Sequence, residues 1–281
     1  MKILTPIDFS ADAFEALRYA VKLAHQWKAG RDESPELIVF HAFHLPIGGD
    51  ATFFIDNAML EREEVHVQNK IQHMISKIPE IQSLHFRLIT KMALPNDGIR
   101  QIVKEKDIQL VVMGKHGIDE SLSNWLGSTT LEMMKHLPCP VLAIPQATIK
   151  PMPHLVAFAT DLKQSDEDHP SLLFFKELLK LWKAELKVIH VHPQPSKIGI
   201  AHAEEALSLE HFFHDVPHTY EFPEDQDPAQ GLNHYLQEHE VDLLAIIPRK
   251  HSGLESIFHK SVSKYLASQT SVPLISLHHS K

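Results

Sequence analysis

Two hydrophobic rhythms alternate along this chain. Short, nearly continuous apolar runs such as Leu110-Val111-Val112-Met113 are separated by longer stretches in which apolar residues return every third or fourth position. Continuous runs suit strands buried on both faces, whereas the wider spacing suits helices that bury one face. The pattern predicts strands over 3–7, 37–43, 85–91, 110–113 and 141–144, with helices over 11–27, 59–78, 98–106 and 128–136. Strands that alternate with helices in this way imply a mostly parallel α/β sheet covered on both faces.

The same order then recurs. His154-Leu155-Val156-Ala157-Phe158-Ala159-Thr160-Asp161 echoes Lys2-Ile3-Leu4-Thr5-Pro6-Ile7-Asp8, each an apolar run ending in aspartate. Residues 186–192 echo 37–43, residues 241–247 echo 108–113, and residues 271–277 echo 138–144. Four matched signals in one order indicate a tandem duplication. Pro151 and Pro153 mark the join, so the expected units are 1–146 and 153–281.

Composition narrows the partners. A length of 281 residues accommodates two domains, and 43% hydrophobic with 22% charged residues is ordinary for a globular protein. A net charge of −9 with no long basic run argues against nucleic acid and anionic membrane surfaces. The single cysteine, Cys139, excludes a disulfide within the chain and fits a reducing compartment, so the expectation is cytoplasmic. No apolar run is long enough for a membrane helix, and Pro6 and Asp8 interrupt the start before a secretion signal forms. The 22 histidines raise the question of metal, but their close pairs are scattered and lack both an HExxH spacing and cysteine partners. No metal site is expected from them.

The chemistry concentrates in Met113-Gly114-Lys115-His116-Gly117 and, nine residues on, Gly127-Ser128-Thr129-Thr130. Glycines directly after a buried strand let backbone amides approach a ligand, and hydroxyl residues then open a helix whose positive end favours anions. Phosphate is the ligand such a loop suits.

With its Gly-x2-Gly-x9-Gly-Ser pattern at Gly114, Gly117, Gly127 and Ser128, together with Asp8 and the Pro-Cys-Pro-Val-Leu-Ala-Ile ending at 138–144, the chain resembles the universal stress protein family. The resemblance spans both repeats and is closer in the first. It implies two repeated, doubly wound, mostly parallel five-stranded sheets. It also implies that Asp8 with Pro6 and Ile7 lies beside adenine and ribose, that Ala42 lies against the adenine ring, and that Met113, Gly114, His116, Gly117, Gly127, Ser128, Thr129 and Thr130 surround ribose and phosphates. The implied ligand is ATP, with magnesium through Asp8, or else AMP or ADP. Family members pair through their last strand, so the two repeats are expected to form an intramolecular pseudo-dimer, with a homodimer of the whole chain as a further option.

Departures from the family pattern shape the expectation. Ala93-Leu94-Pro95 replaces the family's Gly-x-Pro, and Lys115 offers a charge either to a triphosphate or to solvent. In the second repeat Pro248-Arg249-Lys250-His251-Ser252-Gly253 stands in the loop's place, with proline read as replacing the first glycine, so this half is expected not to hold ATP in the family manner. It retains the option of another small anionic ligand. The function expected is a nucleotide-binding, regulatory stress-response protein with weak or no hydrolysis, since no Gly-x4-Gly-Lys-Ser/Thr loop, activated nucleophile or acid pair is evident. Two alternatives remain open: an enzyme of the same superfamily, whose His-x-Gly-His or Ser-Gly-Gly-x-Asp-Ser motifs are absent, and a nucleotide-tuned scaffold. The scaffold would present His211-Phe212-Phe213-His214 and the acidic residues of 221–227.

Overall fold

Each apolar run forms a strand and each amphipathic stretch a helix. The structure, a computed structural model, describes residues 1–31, 34–43, 57–116, 126–146, 152–162, 170–192, 200–248 and 272–278. The first half runs β1 (Lys2–Pro6), α1 (Ala11–Gly30), β2 (Glu36–Phe43), α2 (Asn57–Ile75), β3 (His85–Met92), α3 (Pro95–Lys106), β4 (Leu110–Gly114), α4 (Ser128–His136) and β5 (Val141–Ile144). The second repeats it as β6 (Leu155–Ala159), α5 (Pro170–Trp182), β7 (Glu185–Ile189), α6 (Ile200–Phe212), β8 (His218–Glu221), α7 (Pro228–Glu238), β9 (Leu243–Ile246) and β10 (Leu274–Ser276).

Two of the boundaries that differ from the sequence pattern do so at prolines. The helix expected to reach residue 78 stops at Ile75, and Pro79 opens a separate 3-10 turn, because a proline ring clashes with the preceding helical turn. The helix expected from residue 98 begins at Pro95, whose fixed φ suits a first helical position.

Among the described residues ten strands join one sheet in the order β3-β2-β1-β4-β5-β10-β9-β6-β7-β8. Within each half the pairing is parallel; at the centre β5 and β10 pair antiparallel, with Leu274 opposite Ala143, Ile275 opposite Leu142 and Ser276 opposite Val141. Two fully buried apolar edges thereby satisfy each other instead of inviting other chains.

Packing continues across this seam. Trp27 of α1 stacks on Phe174 of α5 at 5.8 Å, and the Arg31 guanidinium, which also pairs with Glu177, lies 4.1 Å from the Trp27 ring centre. One sheet face buries Leu17, Ile71, Phe158 and Phe175 under α1, α2, α5 and α6; the other buries Phe40, Ile99, Met133 and Leu232 under α3, α4 and α7. Each apolar layer draws on both halves, so the halves share one core.

Candidate functional site

The strand order turns in opposite directions on the two sides of β1, between β2 and β4, which is where open α/β sheets leave a crevice at their carboxyl ends. A cavity lies there. Its walls are Pro6, Ile7 and Asp8 from the end of β1, Phe40 and Ala42 from β2, and Met113, Gly114 and His116 from β4 and its continuation. Gly127, Thr129 and Thr130 close one end at the start of α4, and Ala13, Pro95 and Ile99 complete the apolar side. Of the residues expected from sequence, Ser128 is exposed outside this lining and Gly117 lies outside the described residues.

Local hydrogen bonds place the β1 corner. Ser10 caps α1, its Oγ accepting from the Ala13 amide at 3.1 Å, so Asp8 is not the helix cap. Instead Asp8 Oδ1 accepts from the Ser10 amide at 3.0 Å, which stabilises the turn at Phe9, where φ is 67°. His41 Nδ1 donates to the Ile7 carbonyl at 2.7 Å and ties the end of β1 to β2. Burial holds the His41 imidazole below its usual titration range, which favours this neutral, one-donor form. Since strand side chains alternate, fixing His41 on one face turns Ala42 to the other, toward the cavity.

The β4 corner depends on a close backbone approach. A Cβ on Gly114 would come within 2.8 Å of the Ala13 nitrogen and 2.9 Å of the Asp12 carbonyl carbon, so only glycine lets the first turn of α1 sit on the end of β4. The Thr130 hydroxyl donates to the Gly114 carbonyl at 2.8 Å, and the Gly127 amide donates to the Lys115 carbonyl at 2.8 Å, so α4 is pinned to the strand it follows. Gly127 stands at the N-cap of α4 without a side chain to cap it, and the positive end of the helix dipole lies at the cavity that Gly127, Thr129 and Thr130 line. Thr130 thus lines the cavity with its hydroxyl proton given to the Gly114 carbonyl.

Sequence reasoning passed over Asp12. Its Oδ2 accepts from the His116 amide at 3.0 Å and from His116 Nδ1 at 3.1 Å, and its Oδ1 accepts from the Gln146 amide at 3.1 Å. The available signal was an acid in line with Ala16, Tyr19 and Leu23 on the buried stripe of α1. Lys115 is a second correction. Its side chain is fully buried and absent from the cavity wall, so it neither contacts a triphosphate there nor sits in solvent. Burial pulls its ammonium down to about 7, against the opposing pull of Asp12.

The second half keeps the frame and changes the site. His190 Nδ1 donates to the Thr160 carbonyl at 3.1 Å, as His41 does to Ile7. Strand registers match Ile3 with Val156, through their pairings with Leu37 and Leu186 and with Leu110 and Leu243. Counting from there, buried Ile247 and not Pro248 takes the place of Gly114, Pro248 takes that of Lys115, and Val191 takes that of Ala42. The charged residues of 249–261 lie outside the described residues. Phe213 is fully buried among Phe158 and Phe175 and so belongs to the core, whereas Phe212 is half-buried against it and His211 and His214 are exposed. Among the described residues no three histidine, cysteine or acidic side chains gather to hold a metal, and no helix is long and apolar enough to cross a membrane.

Comparison with known proteins agrees with this duplicated frame. The sequence model of the universal stress protein family matches residues 1–145 and again 152–278. A universal stress protein of Synechocystis is 26% identical over 157 residues, covering 51% of this chain and 96% of that protein. A solved universal stress protein from Archaeoglobus fulgidus superposes with a TM-score of 0.68 at 17% identity, covering 99% of this chain and 98% of its own. Another, a universal stress protein by its description, from Pseudomonas aeruginosa, gives 0.58 at 17% identity over 99% of this chain and 93% of its own. Two matches in tandem that together span most of the sequence establish that the chain belongs to the universal stress protein family.

Proposed function

We propose that residues 1–146 bind an adenine nucleotide, ATP or its di- or monophosphate, and that residues 153–281 form a degenerate partner unit that does not bind it in this way. The observation that carries this reading is the cavity at the β1/β4 switch point, apolar where Phe40, Ala42, Pro95 and Ile99 meet and bounded at its other end by the uncapped start of α4. A flat aromatic base suits the first region, and phosphate oxygens suit the amide donors and helix dipole of the second. Asp8, between them, is positioned for ribose hydroxyls or for a magnesium ion accompanying the phosphates.

The role is regulatory more than catalytic. Among the described residues of the cavity wall the titratable side chains are Asp8 and His116; Asp12 holds Nδ1 of His116, and the Thr130 hydroxyl is given to the Gly114 carbonyl. Cys139 is buried elsewhere, its thiol pushed up to about 12 by burial, and serves packing. Nucleotide-dependent stability of a cytoplasmic stress-response protein is the activity this supports. Thermal denaturation of the full chain with ATP, ADP, AMP and adenosine tests it. ATP is expected to raise the melting temperature, and Ala42→Trp, which fills the base region, is expected to remove the response to every ligand. An unchanged melting temperature with all four overturns the reading.

A further inference from the structure

We infer that Asp12 is a positioning residue for phosphate recognition: it fixes the His116 ring so that the imidazole, beside the start of α4, separates nucleotide from nucleoside. This inference rests on the nucleotide reading of the cavity.

Three observations converge on it. The Asp12 carboxylate is almost wholly buried and takes three donors, the His116 amide at 3.0 Å, His116 Nδ1 at 3.1 Å and the Gln146 amide at 3.1 Å. An ionised carboxylate only accepts, so Nδ1 carries the proton in this contact and the ring has one orientation and one neutral tautomer. His116 lines the cavity together with Gly127 and Thr129, and the bond from the Gly127 amide to the Lys115 carbonyl puts it next to the start of α4. It is therefore beside the positive end of that helix, the end suited to phosphate. Finally, the Thr130 hydroxyl at this end is committed to the Gly114 carbonyl, which leaves the imidazole a larger share of side-chain recognition.

The chemistry follows from the fixed tautomer. With Nδ1 turned to Asp12, a second proton on the ring creates an N–H on its other nitrogen and a positive charge, which a phosphate oxygen accepts as a charge-assisted hydrogen bond. Asp12 balances that charge from behind, in the manner of a carboxylate that orients a functional histidine. A nucleoside has no group to use it. Among the described residues the other charged groups around the pair are Asp8, in the same cavity wall, and buried Lys115, on which Asp12 acts directly.

A purely structural clip joining α1, β4 and β5 would weaken base and phosphate binding alike, which gives the test its contrast. Calorimetric titration of the full chain with ATP and with adenosine is to be made for the wild type, Asp12→Asn, His116→Gln and the double variant, together with ¹⁵N ring correlations of His116. Each single variant is expected to weaken ATP about tenfold while leaving adenosine within about twofold, and the double variant to be no worse than the weaker single. The ring spectrum is expected to show Nδ1 protonated in the wild type and to lose that signature in Asp12→Asn. His116→Gln keeps the test decisive if Asp12→Asn does not fold. Equal losses for ATP and adenosine, unchanged ATP affinity, or an unprotonated Nδ1 overturns this inference alone. A wild type that binds neither ligand overturns the nucleotide reading and this inference with it.

Discussion

The two halves share a scaffold down to single hydrogen bonds and part company at the end of one strand. In both, a histidine at the carboxyl end of the half's second strand donates to the backbone just past the first, His41 to Ile7 and His190 to Thr160. In both, a glycine in the first turn of a proline-started helix lies against that strand's side chains; a Cβ would meet Phe40 at 2.6 Å from Gly98 and Val191 at 2.5 Å from Gly231. At the fourth strand, however, Gly114 faces the backbone of α1 while Ile247 fills the matching place. Packing glycines that build the fold are kept in both copies. The glycine that lets a helix backbone close on the end of the fourth strand, beside the cavity, is present in one.

Exchanging residues between the halves is the direct way to break this comparison. The largest effect is expected from Gly114→Ile, which imports the second half's residue into contact with the α1 backbone. It should cost about 3 kcal/mol or more in denaturant unfolding and abolish ATP binding. A stable variant that still binds ATP would show that the glycine is incidental.

Lys115→Met comes next. The folded chain holds this ammonium near 7 against an ordinary 10.5, so between those pH values the unfolded chain binds a proton that the folded chain does not. Stability therefore rises with pH across that window, and the burial cost is fully present below about 7. Replacing the charge by an apolar chain of similar size should raise stability by about 2 kcal/mol at pH 7 and flatten the rise toward pH 9, measured by urea unfolding against pH. An unchanged pH profile would place the titration elsewhere.

Smaller effects sharpen the picture. Ala42→Val gives the first half the second half's residue at the base region; ATP affinity should fall about tenfold with stability altered by less than about 1 kcal/mol. Ser10→Ala removes the α1 cap and should cost about 1 kcal/mol in thermal or denaturant unfolding. That loss would act through the first turn carrying Asp12 and Ala13, so a modest drop in nucleotide affinity is expected to accompany it.

The frame was largely legible in the chain because it is written in local periodicity. Buried runs such as Leu110-Val111-Val112 and the stripe of α1 announce their own structure, and the repeated order exposes the duplication. Ten of the twelve residues expected from the glycine spacing, the hydroxyls and the family resemblance line one cavity. What stayed hidden depends on which distant segment arrives. Lys115 sits in a loop motif between Gly114 and His116 and reads as facing either a triphosphate or solvent, yet the close approach of α1 buries it. Asp12 reads as a helix-start acid and turns out to serve His116 and Gln146, more than a hundred positions away. The proline of the second half was matched to the first glycine by resemblance of the loops, and only strand pairing shows that Ile247 holds that place.

The central claim is that one half of a duplicated fold keeps the nucleotide site. Calorimetric titration of the full chain with ATP tests it most directly, through the number of sites. The account predicts one site per chain, lost in Gly114→Ile. Two sites, none, or a single site that survives Gly114→Ile would contradict it.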